Sequence, residues 1–310
     1  MAKAIDVVGL VKSYGSHRAV DGVDLSVEEG EIVAFLGPNG AGKTSTIEVL
    51  EGYRERDSGS VSVLGEDPAK ASTEWRERVG IVLQESQLIE ELSAIETIRM
   101  HSRYYRASRD PEEVLGLVGL ADSADQRGSK LSGGQKRRLD LALALIGDPE
   151  LVFLDEPTTG FDPSARRESW SMIEALRETG CSVLLTTHYM DEAEQLADRI
   201  VVIAGGRVVA NGTAADLADL VGARTTVSWR PGPSDPAPPP GLAAVATGDT
   251  MTLSPTDLVA DLHALTGWAR EANVHLDGLA VKQPTLEDVY LTLTADASPT
   301  ADAEPGSEAS

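Results

Sequence analysis

Up to about residue 220, short apolar runs alternate with amphipathic stretches. The runs EIVAFLG, RVGIVLQ, ELVFLDE, SVLLTTH and RIVVIAG are rich in branched side chains and lack polar alternation. That pattern marks strands buried on both faces of a mostly parallel sheet. Between them, SAIETIRMHSRYYR and SARRESWSMIEALRET carry helical spacing. The pattern predicts an α/β domain over residues 1–221.

The pattern then breaks. SWRPGPSDPAPPPG, residues 228–241, is too rich in proline for helix or sheet and reads as a linker or long surface loop. GLAAVATGDTMTLSP follows as a hairpin with a Gly-Asp turn. TDLVADLHALTGWAREAN places Leu258, Leu262, Leu265 and Ala269 on one helical face. HLDGLAVKQ predicts a strand. PTLEDVYLTL predicts a helix with Leu286, Val289, Tyr290 and Leu293 aligned and Thr285 as its cap. Residues 222–294 thus read as a small α+β appendage, and 295–310 as a tail too polar to fold.

Composition narrows the function. Fifty acids against 27 bases give a net charge of −23, which argues against nucleic acid as the main partner because phosphate neutralisation needs clustered cations. Cys181 is the sole cysteine, so no internal disulfide can form, which suits a reducing compartment. The opening residues lack a signal-peptide pattern, and no run approaches the ~18 apolar residues of a spanning helix. The expectation is a chain that reaches a membrane only through a partner.

The chemistry begins at GPNGAGKTS, which joins an apolar strand to a helix. Gly37, Gly42, Lys43 and Thr44 satisfy the phosphate-loop spacing. Pro38, Asn39, Gly40, Ala41 and Ser45 complete the loop, whose backbone N–H groups and helix N-terminus suit phosphate. Lys43 is expected to reach the β- and γ-phosphates and Thr44 to ligate Mg²⁺. LVFLDE ends a second strand in Asp155 and Glu156. Such a pair is ordinarily a solvated turn. Beside a phosphate loop, Asp155 is placed to hold Mg²⁺ and Glu156 to deprotonate the attacking water. His188 ends a third strand, where it could contact the γ-phosphate and keep Glu156 in register. Gln84 ends a fourth, where its amide could meet Mg²⁺ or the water. One segment looks redundant: LSGGQKRR, 131–138, opens another helix with two glycines, as if for a second phosphate.

These segments resemble the nucleotide-binding subunit of ATP-binding cassette (ABC) transporters. GPNGAGKT, Gln84, LSGGQ, LVFLDE, GFDP (160–163) and His188 occur in the family's order and spacing. The resemblance implies a P-loop NTPase fold with a helical subdomain at about 85–147, and an ATPase working as a head-to-tail dimer. Each ATP would lie between the phosphate loop of one copy and Ser132, Gly133, Gly134 and Gln135 of the other. It also implies Tyr14 stacked on adenine with Val20 nearby, and Asp162 acting across the interface. Phe161 stands where the family more often has leucine.

PTLEDVYLTLT is similar to the C-terminus of daunorubicin-resistance ATP-binding subunits. That implies export of a drug, antibiotic, lipid or similar compound through a separate permease, from the cytoplasmic face of the plasma membrane. The acidic segment 84–97, with Glu85, Glu90 and Glu91, is the expected docking surface. An alternative is a soluble ABC ATPase of translation or DNA metabolism. The short span between phosphate loop and LSGGQ, the single cassette and the acidity disfavour it. A nonhydrolytic regulatory module is disfavoured by Glu156 and His188.

Overall fold

The computed structural model describes residues 2–83, 88–233, 235–239 and 241–295. The chain divides into two compact units, one running to Thr213 and the other Ala214–Leu293.

The first unit opens with β1 (Lys3–Tyr14), β2 (His17–Glu28), β3 (Ile32–Leu36), α1 (Lys43–Leu50) and β4 (Ser58–Val63). It continues through α2 (Thr73–Glu77), β5 (Val79–Val82), α3 (Ala94–Ser102), α4 (Pro111–Leu117) and α5 (Gly133–Leu145). It closes with β6 (Leu151–Asp155), α6 (Pro163–Glu178), β7 (Ser182–Thr187), α7 (Met190–Leu196), β8 (Arg199–Ala204) and β9 (Arg207–Gly212). Two sheets result. One is antiparallel, β2-β1-β4; the other runs β5-β6-β7-β3-β8-β9, parallel except for β9. Every residue of β3 and β7 is buried, which is why these strands read as continuous apolar runs. Val7, Leu10 and Val27 of the antiparallel sheet share one core with Ile47 and Leu50 of α1 and Phe35, Phe153 and Val201 of the parallel sheet. The phosphate-loop helix is therefore anchored between the sheets.

Helices α3, α4 and α5 pack on one another between β5 and β6 in chain order, forming the helical subdomain. Ser93 and Glu96 make a capping box that fixes the start of α3. All five apolar runs are strands, and their C-terminal ends bring Asp155, Thr187 and the phosphate loop to one edge, the usual ligand edge of such sheets.

The second unit comprises α8 (Ala214–Leu220), β10 (Thr226–Arg230), β11 (Ala244–Thr247), β12 (Thr250–Leu253), α9 (Leu258–Glu271), β13 (Asp277–Lys282) and α10 (Leu286–Ala295). Its antiparallel sheet has the order β11-β12-β10-β13. Val227, Trp229, Leu253 and Leu265 form the core, with Leu258 and Leu262 packed against it. The hairpin turns at Gly248 as the sequence predicts, pairing Thr247 with Thr250.

Two boundaries differ from the sequence reading. Helix α8 joins the second unit, so the division falls after Thr213 rather than after 221. A short amphipathic helix carries no compositional mark of the unit it joins. Ser228, Trp229 and Arg230 belong to β10, not to the proline-rich stretch. Trp229 is a core side chain, and residues that cannot pair begin only at Pro231. The remaining loop connects β10 to β11 within one sheet, so it is a surface loop and not a linker between units.

Candidate functional site

The phosphate loop is shaped by steric limits. Gly42 caps α1 with φ 103°. A Cβ there would meet the Ala19 carbonyl oxygen at 2.3 Å, and one at Gly37 would meet that of Ile203 at 2.5 Å. Only glycine fits either place. Lys43 is buried and bends back, its Nζ donating to the carbonyls of Gly37 (2.6 Å) and Pro38 (3.2 Å). Burial lowers its pKa, and the carboxylates of Glu156 and Asp155 oppose that shift.

In front of the loop lies a cleft of about 370 Å³ lined by Tyr14, His17, Ala19, Asn39, Gly40, Gly42, Lys43, Thr44, Ser45, Asp155 and Glu156. Nine of these eleven were expected from sequence. Gly37 and Ala41 are buried and Pro38 is exposed, and none of the three lines the cleft. Tyr14 keeps an exposed ring, its hydroxyl 3.1 Å from Ser45 Oγ, with the Arg54 guanidinium 5.2 Å from the ring centre. Val20 departs from its expected place beside adenine: it is fully buried in the core. Side chains alternate along β2, so Ala19 and His17 face the cleft when Val20 faces inward. Alternation counted back from Val20 was the signal for them.

Asp155 ends β6, and its Oδ1 accepts from Thr186 Oγ1. Glu156 turns away in the left-handed region, φ 46°, a conformation that costs a non-glycine residue about 1–3 kcal/mol. Its N–H is held by the Thr186 carbonyl (3.1 Å) and hydroxyl (3.0 Å). Its Oε2 accepts from Thr159 Oγ1 at 3.0 Å and lies 3.4 Å from His188 Nδ1. His188 does not line the cleft itself; it meets it through Glu156. Its ring packs on Tyr189, which carries the Arg166 guanidinium 3.7 Å above its own ring. Behind α1, Glu51 is nearly buried, and burial, then the charges of Asp155 and Glu48, pushes its carboxyl up to about 8.

The LSGGQ segment does not contribute to this cleft. Ser132 caps α5, accepting from Gln135 N, while Gln135 Oε1 accepts from Ser132 N. A Cβ at Gly133 or Gly134 would meet nothing within 4 Å. The three following cations do not form a patch. Lys136 pairs with Glu90 and Arg138 with Glu168. Arg137 reaches backbone acceptors. It donates to the carbonyls of Asp155, Glu156, Pro157 and Leu83, tying α5 to the end of β6. Asp162 caps α6 through Ser164 N and Ala165 N.

Gln84 and Glu85 lie outside the described residues. Of the expected docking stretch, Ile89, Glu90 and Glu91 are exposed, whereas Thr97 is buried and bonded to the Ser93 carbonyl. Among the described residues no cluster of three or more His, Cys, Asp or Glu side chains could hold a metal. Thr44 and Asp155 still bring two oxygen donors to the cleft. That donor set fits Mg²⁺, which takes most of its ligands from phosphate and water.

The sequence profile described as ABC transporter matches residues 20–159, and that of the ABC transporter domain-containing protein-like C-terminal domain matches 231–285. A daunorubicin resistance ATP-binding protein of Streptomyces coeruleorubidus is 39% identical over 304 residues, covering 94% of this chain and 96% of that one. A Nod factor export ATP-binding protein of Burkholderia orbicola is 37% identical over 94% of this chain and 96% of its own. Among solved structures, a dimeric ATP-binding cassette in a post-hydrolysis state, bound to ADP and Pi, superposes with TM-score 0.61 at 25% identity. It covers 67% of this chain and 98% of that one.

Proposed function

The chain belongs to the ABC transporter ATP-binding family, and from that membership we propose that it hydrolyses ATP to drive an exporter through a separate membrane permease. The observation that carries the reading is the Glu156–His188 pair at the mouth of the phosphate-loop cleft. Among the described residues no helix is long and apolar enough to cross a membrane; in this reading the permease is a separate subunit on which this one docks.

Tyr14 offers its face to adenine. The loop N–H groups and Lys43 bind the phosphates, with Lys43 exchanging its carbonyl partners for phosphate oxygens. Mg²⁺, held by Thr44 and Asp155, would neutralise charge between the β- and γ-phosphates. A Glu156 carboxylate oxygen accepts the proton of the attacking water, and His188 and Thr159 hold that carboxylate in place. A general base so placed contributes about 10²–10⁴-fold. A second copy covers the cleft with Ser132, Gly133 and Gly134 at the start of its α5. Docking on the permease uses the exposed acids near Glu90. The names of the relatives, daunorubicin resistance and Nod factor export, support export of a drug or similar compound.

The test is phosphate release from ATP and Mg²⁺ by the purified chain. The reading predicts turnover that Lys43→Ala removes. Release no faster than that variant's would sink it.

A further inference from the structure

Glu192, on α7, is completely buried. Burying a carboxyl is costly unless donors satisfy it, and this one takes donors from two other elements. Its Oε1 accepts from Thr158 Oγ1 at 2.8 Å and from Trp170 Nε1 of α6 at 3.1 Å. The Thr187 side chain lies beside the same carboxyl and favours its charged form. Thr158 lies two residues after Glu156 and is itself fully buried; Thr187 immediately precedes His188. The loops that deliver Glu156 and His188 to their 3.4 Å contact therefore meet at one side chain behind them.

No part of the nucleotide cleft is formed by Glu192. Among the described residues its Oε2 has no hydrogen-bond partner, and neither does the buried Nε of Arg166 on the neighbouring α6. Arg166 is the charged group facing the carboxyl, and its Nη1 bonds to Asp191 at 3.4 Å. Burial raises the carboxyl's pKa, with Thr187, Thr158, Trp170 and Arg166 opposing. An orphaned oxygen in such a place is poor design for stability alone, since an apolar side chain would avoid the cost.

We propose that Glu192 is a positioning residue that sets Glu156 against His188 by tying the loop after β6 and α6 to α7, the helix that follows His188. The proposal rests on the ATPase reading. It acts on kcat: nucleotide binding uses the phosphate loop, which Glu192 does not touch, whereas the Glu156–His188 geometry matters only in the chemical step. Misplacement of a reacting group by about 1 Å costs on the order of 10²-fold.

The experiment is steady-state hydrolysis and nucleotide-affinity measurement on full-length Glu192→Ala, Glu192→Gln and Thr158→Val. Glu192→Ala is expected to lower kcat about 10- to 100-fold with KM and ATP affinity within about threefold. Glu192→Gln keeps an acceptor for Thr158 and Trp170 and should recover most of the rate. Thr158→Val should reproduce part of the loss, and the double variant with Glu192→Ala should be no slower than Glu192→Ala alone. Unchanged kcat in Glu192→Ala overturns the proposal, as does a Gln variant as slow as Ala, or additive losses in the double variant. If Glu192→Ala does not fold, Thr158→Val and Glu192→Gln decide alone by the same criteria. Wild-type protein that releases no phosphate refutes the ATPase reading instead, so the two failures are distinguishable.

Discussion

The molecule carries two glycine-rich helix starts, and their glycines exist for different reasons. At Gly37 and Gly42 the chain's own backbone occupies the place of a Cβ, so the glycines satisfy the fold of this subunit. At Gly133 and Gly134 nothing lies within 4 Å. Helix α5 would be better served there by alanine, since glycine costs roughly 1 kcal/mol in a helix. The first cradle closes on itself, with Lys43 folded onto its carbonyls. The second is capped by Ser132 and Gln135 and otherwise faces outward. The head-to-tail pair proposed above makes use of that open face.

The largest effect that would sharpen this contrast comes from Glu156→Gln. Steady hydrolysis should fall by about 10²–10⁴-fold while ATP binding persists, and the variant should elute as a dimer with ATP. A monomer under saturating ATP would break the pairing idea. Next, Gly42→Ala should cost about 2–4 kcal/mol in chemical denaturation and abolish nucleotide binding. An unaltered unfolding midpoint would mean the first cradle is not sterically set.

A third effect lies behind the first cradle. The Glu51 carboxyl binds its proton more tightly when folded, with a pKa of about 8 against 4.5 ordinarily. Stability is therefore least penalised below about pH 4.5 and falls as pH rises through about 8. Glu51→Gln should match wild type near pH 5 and exceed it at pH 9 by on the order of 1–3 kcal/mol. Parallel stability curves for the two proteins would refute the shift. The smallest effect belongs to the second cradle. Gly134→Ala should change stability by no more than about 1 kcal/mol, yet slow hydrolysis at least tenfold by filling the space meant for a partner's phosphate. Unchanged turnover there would remove the argument that the open glycines serve a second copy.

Much of the site was legible because its parts are contiguous. Lys43 and Thr44 follow a glycine-rich turn; Asp155 and Glu156 end an apolar run; His188 ends another. In a parallel sheet such strand ends must share an edge. Other features depend on direction or on distant partners. Val20 was misplaced because the sequence names a strand without saying which face is inward. Arg137 ties α5 to carbonyls at the end of β6, and backbone acceptors carry no sequence signature. Glu192 reads as one acid in an acidic helix, and its partners lie 34, 22 and 5 residues away.

By itself, then, the sequence determined the family, the five apolar strands of the larger sheet and which residues stand at their ends, because each of these is written in residues adjacent along the chain. Tertiary structure alone decided which face of β2 meets the cleft, where the second unit begins, what satisfies the cations after LSGGQ, and that one buried carboxyl joins the loops of Glu156 and His188. Those outcomes depend on which groups packing brings within hydrogen-bond reach and which it shields from water. Neither is a property of any short stretch. LSGGQ lies between the two cases: its glycines were readable as a helix start, but only the structure shows the capping box and the open space beside those glycines among the described residues.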